Sequence, residues 1–124
     1  MSADNRPVFL DLTKYRFPMA AIMSVGHRAS GIFMVMLVPF LAYLLDLSLS
    51  SSDGFAEVQA ILDHWILKPI GFVALWALIH HLLSGIRFLL IDFHIGVERD
   101  TGRKSATVVT YAAPVVTLLI GVML

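Results

Sequence analysis

Residues 69–86 read PIGFVALWALIHHLLSGI, 18 residues without a formal charge between Lys68 and Arg87. About 20 predominantly apolar residues in a helix cross the ~30 Å hydrocarbon core of a bilayer. Pro69 suits the first turn of such a helix, and the span is expected over about residues 69–91. Only His80, His81 and Ser84 interrupt its apolar character. Polar groups at membrane depth are costly and tend to mark function. The stretch that decides the fold therefore also supplies the first candidate residue, His81.

Two similar stretches flank it. Ala29 to Leu45 is uncharged, and with the polar turn before it predicts a first span over about 21–46. Pro39 lies inside that span and takes away the hydrogen bond to the Val35 carbonyl, so a kink is expected there. Ser105 to Leu124 is the third span, 105–124, with Pro114 near its middle and the Thr110 hydroxyl close to the carbonyl that proline frees. Between the first two spans, Ser52 or Asp53 offers a cap for a short helix. Phe55, Val58, Leu62 and Trp65 recur at helical spacing, as in an interfacial helix with Trp65 at headgroup depth. The expected fold is an all-α integral membrane protein, one domain over 1–124, with three transmembrane helices running up-down-up.

Composition agrees. The chain is 58% hydrophobic and 15% charged, with mean hydropathy +0.82, against about a quarter charged in a typical soluble domain. Net charge is zero, which gives no bulk attraction to nucleic acid. With no cysteine, this chain can form no disulfide and ligate no iron–sulfur cluster. Arg6, Lys14, Arg16 and Arg28 precede the first span's uncharged run, and Arg87, Arg99, Arg103 and Lys104 lie between spans two and three. The connection between spans one and two has only Lys68. The positive-inside rule then predicts a cytoplasmic N-terminus and a periplasmic C-terminus. The N-terminal residues resemble neither a signal peptide nor an Arg-rich transit peptide, which favours a multi-pass protein of a bacterial inner membrane.

Two polar patches stand out from this scaffold. On a helix His81 shares a face with Ser84 and Gly85. It reads either as a packing histidine or as a ligand to haem iron, for which imidazole is a common axial donor. His80 points about 100° away, toward a partner helix or headgroups. In the first span Ser24, His27, Arg28 and Gly31 fall on one face. With Arg87 expected at a similar depth, they would make a donor-rich pocket suited to carboxylates or to quinone carbonyls. The plainer reading is that Arg28 snorkels to the headgroups. Asp92 either pairs with Arg87 or ends the helix in water.

Ser24-x-x-His27-Arg28-x-Ser30-Gly31, and His81-x-x-x-Gly85-Ile86-Arg87-Phe88 leading to Asp92, together resemble the two signatures of the succinate dehydrogenase cytochrome b556 subunits. These are the larger membrane anchors of respiratory complex II. Arg6-Pro7, Leu10-Asp11-Leu12 and the length of the chain agree, so the resemblance covers essentially the whole sequence. It implies that His81 is one axial ligand of haem b, the other coming from a second hydrophobic anchor subunit. It implies that His27 and Arg28 hold haem propionates, and that Ser24 and Arg28 contact ubiquinone. The implied partners are that second anchor, an iron–sulfur subunit, a flavoprotein subunit and membrane lipid. Electrons from succinate would reach ubiquinone through the soluble subunits, and this chain would not be an enzyme alone. Two positions depart from the family. Phe88 stands where some relatives have histidine, and His94 where relatives tend to have a small residue.

Other readings are a cofactor-free three-span anchor, in which His81 only packs, and a small transporter subunit. The second lacks the paired broken spans such folds often show. An anchor of a fumarate-reducing or menaquinone-linked complex fits the same residues.

Overall fold

The structure, a computed structural model, describes residues 16–123. They form four helices: α1 (Met19–Ser50), α2 (Ser52–Leu62), α3 (Leu67–Asp92) and α4 (Arg99–Met123). Helices α1, α3 and α4 are each long and apolar enough to cross a membrane, and each packs against the other two. The expected all-helical, three-span, up-down-up architecture with a short helix between the first two spans is what the chain adopts.

The bundle is inside-out relative to a soluble one. Its buried residues are mostly small or polar: Ser30 on α1, Ala77 and Ser84 on α3, and Ala106, Ala113 and Thr117 on α4. Most of its large apolar residues face outward, among them Ile32, Val35, Met36, Leu82 and Leu119, while Met23 and Leu44 are buried. In the apolar windows of the three spans only 6, 17 and 22% of residues are buried. Lipid tails gain nothing by excluding such side chains. Helix association there relies on close backbone approach and hydrogen bonds, which small residues permit.

Local chemistry explains the helix ends. Ser51, one residue before the expected cap, accepts a hydrogen bond from the Gly54 amide at 3.0 Å. A Cβ on Gly54 would collide with the Leu47 carbonyl, so α2 can fold tightly back on the end of α1 only with glycine there. Val58 is buried whereas Phe55 and Leu62 are exposed, as an interfacial helix requires. However, α2 ends at Leu62, and the exposed Trp65, expected on the same helix, lies in the turn that follows. Helix α1 continues through Pro39 to Ser50, beyond the expected end at 46. Helix α4 begins at Arg99 rather than Ser105, so most of the basic connection is helical. Asp100 in its first turn complements the helix dipole. The Thr110 hydroxyl bonds the Ala106 carbonyl at 2.8 Å instead of the carbonyl freed by Pro114, because a threonine reaches back one turn to i−4.

Helix α3 ends in a Schellman turn. The Ile95 amide donates to the Leu90 carbonyl at 2.9 Å and the His94 amide to the Ile91 carbonyl at 2.8 Å. The turn places His94 at φ 61°, in the left-handed region that glycine enters without steric cost. His94→Gly is therefore expected to stabilise the protein by about 1 kcal/mol, even though it deletes a side chain. Thermal unfolding in detergent checks this, and a lowered midpoint would show that the imidazole makes a compensating contact.

Candidate functional site

The site lies where α3 crosses α1, and two adjacent histidines define it. His81 Nδ1 is 3.1 Å from the His27 carbonyl oxygen. A carbonyl only accepts, so Nδ1 carries the proton and the lone pair is left on Nε2. The Ser30 hydroxyl, fully buried, donates to the same carbonyl at 2.9 Å, and its oxygen lies 3.3 Å from His81 Nδ1. The His27 ring stacks on His81 with centroids 4.0 Å apart and planes 17° from parallel, and meets Phe88 edge-on at 5.2 Å. Gly31 lies against the His81 ring: a Cβ there would be 3.0 Å from Cε1. Gly85 is less tightly placed: a Cβ there would meet His27 Nε2 at 3.8 Å, an ordinary van der Waals contact.

His81 and His27 share a recess of about 520 Å³ with Arg28, Gly31, Ile32, Val35 and Met36. Its walls are apolar, and Arg28, itself exposed, is among the residues that line it. An imidazole tautomer with its lone pair on Nε2, a glycine against the ring and an apolar recess together suit a flat, metal-bearing ligand. Holding a ligating histidine by its other nitrogen is the usual outer-shell arrangement at metal sites.

Not every expected neighbour joins. Ser24 lies one turn before Arg28 on α1, half-buried and outside the lining of this recess. Arg87, expected beside Arg28, is buried and turned to α4: Nε donates to the Ser105 hydroxyl at 2.9 Å and a terminal nitrogen to the Gly102 carbonyl at 2.8 Å. It lines a separate recess with Arg16, Arg99 and Arg103. The early start of α4 causes this, by placing Gly102 and Ser105 within reach of α3. Asp92 is exposed, and among the described residues no ion pair joins it to Arg87. Ser84 faces the bundle interior with His80 and Arg87, not with His81. Ser30 and Gly31, conspicuous only as part of a motif in the sequence, are the residues that fix the His81 ring.

Residues 2–120 match the family of succinate dehydrogenase/fumarate reductase transmembrane subunits. The chain belongs to this family. It is 38% identical over 120 residues to the succinate dehydrogenase cytochrome b556 subunit of Coxiella burnetii, covering 95% of each chain. It is 32% identical to the cytochrome b556 subunit of Paracoccus denitrificans over 93% of this chain and 88% of that one. The cytochrome b560 subunit of Marchantia polymorpha is 30% identical over the same shares. Within the family, this chain is a membrane-anchor subunit of the succinate dehydrogenase cytochrome b type. Its three apolar helices make it a multi-pass inner-membrane protein. The motifs that suggested the family are the segments that meet at the α1–α3 crossing.

Proposed function

We propose that this anchor subunit holds haem b through His81 Nε2 and contributes Ser24 and Arg28 to a site where ubiquinone is reduced. The observation that supports the reading is the His27 carbonyl 3.1 Å from His81 Nδ1, which leaves the lone pair on Nε2 for a metal. Relatives named as b-type cytochromes support the choice of haem. In this reading a companion anchor subunit would supply the other ligand to the haem iron, as the resemblance to the family implies. The N-terminus and the α3–α4 connection face the cytoplasm, where the flavoprotein and iron–sulfur subunits deliver electrons from succinate.

Each residue has a distinct task. His81 binds, while Ser30, Gly31 and the His27 carbonyl keep its ring from turning. Arg28, one of the residues lining the recess, would supply a guanidinium fork for a propionate carboxylate. Ser24, one turn away on α1, and Arg28 donate hydrogen bonds to a quinone oxygen. Those donors gain strength as negative charge develops there, which is how they favour reduction. When bound, the haem supplies a one-electron redox centre near the quinone.

The test is an optical difference spectrum of the complex purified through this chain. Succinate should reduce a b-type haem. An intact wild-type complex without haem would leave a cofactor-free anchor, and a haem reduced only by other donors would remove the link to succinate.

A further inference from the structure

The second histidine of the pair, His80, takes no part in the site above. It is one of the most buried residues of the bundle, 3% exposed, with its ring stacked on Trp76 at 5.3 Å. Nε2 lies 3.4 Å from the Met23 carbonyl oxygen on α1. That carbonyl only accepts, so Nε2 carries the proton and Nδ1 is a bare acceptor. Among the described residues nothing bonds Nδ1.

One turn further along α3 is Ser84, fully buried, whose hydroxyl also lacks a partner. Its isolation is unusual here. The Ser30, Thr110 and Thr117 hydroxyls each close onto a carbonyl of their own helix, as hydroxyls in apolar surroundings commonly do. Ser84 does not. An open acceptor and an open donor thus lie at i and i+4 on one buried helix face, where Cβ atoms are about 5–6 Å apart. Buried polar atoms are seldom left unpaired, and internal water is the usual partner where protein supplies none.

We infer that His80 and Ser84 form an internal water site within the three-span bundle. One water accepts the Ser84 O–H and donates to His80 Nδ1. It links α3 to α1 through the imidazole and the Met23 carbonyl, independently of the haem and quinone reading.

The test uses the complex in lipid nanodiscs with ¹⁵N-labelled histidine, and measures magnetisation transfer from water to the ring nitrogens by solid-state NMR. His80 is assigned by loss of its signal in His80→Gln. The expected result is transfer to a non-protonated His80 Nδ1, abolished in Ser84→Ala, with a lowered thermal midpoint for that variant. No transfer, with Ser84→Ala neutral or stabilised, would show two dry, unpaired atoms and overturn the site. No transfer, with Ser84→Ala destabilised, would mean a direct Ser84–His80 hydrogen bond. Transfer that survives Ser84→Ala would remove Ser84 from the site. The wild-type measurement stands whether or not a variant folds.

Discussion

Arg28→Leu is expected to lower succinate–quinone turnover by about 10²-fold, the scale on which removing one donor to a developing oxyanion acts. Arg28 is exposed and carries no packing load, so the change should leave the fold and the soluble subunits intact. Succinate oxidation by an artificial dye that bypasses the membrane should keep its rate. Haem should stay ligated through His81, whose tautomer depends on Ser30 and the His27 carbonyl, and loss of the propionate fork should weaken its retention without abolishing it. Arg28→Lys should fall between the two, since an ammonium keeps the charge and loses the planar fork. Equal loss of the dye and quinone activities would place Arg28 in assembly instead.

Gly26→Ala is expected to destabilise the bundle by about 1–3 kcal/mol, the usual scale of overpacking. Replacing a glycine inside a helix ordinarily gains about 0.5–1 kcal/mol, so the predicted sign is reversed. The reason is local: a Cβ on Gly26 would lie 2.6 Å from His80 Nε2. Stacked on Trp76 and in hydrogen-bond reach of Met23, that ring has little room to give. Gly71 is the control, because a Cβ there meets nothing within 4 Å and Gly71→Ala should show the ordinary gain. Adding His80→Ala to Gly26→Ala should recover most of the loss, and thermal unfolding of the four proteins yields the coupling directly. Additive effects would mean that the two residues do not share the contact.

The contrast between Gly26 and Gly31 shows how much of this was legible in the chain itself. Three uncharged runs of membrane length determine the topology, because no backbone other than a helix can satisfy its hydrogen bonds there in isolation. The short helix after Ser51 follows from turn residues and helical spacing. His81 and its motif partners are visible as polar residues where polar residues are expensive. The packing faces are not. A span that is apolar all round carries no amphipathic signal to say which side meets its neighbours. The spacing therefore puts Ser84 on the His81 face, whereas the bundle buries it together with His80 and Arg87. The expected depth of Arg87 groups it with Arg28, whereas α4 starts early enough to hold it through Gly102 and Ser105. Gly26 and Gly31 gain their meaning only from the imidazoles that lie against them.

The most direct measurement is the haem content and absorption spectrum of purified complexes containing wild-type chain or His81→Leu. All four subunits must be present in both. If His81 Nε2 is an axial ligand, the b-type band is lost or displaced in the variant while succinate–dye activity persists. A complex that binds the same amount of haem with an unchanged band would contradict the assignment, and would leave His81 as a packing residue held by Ser30 and His27.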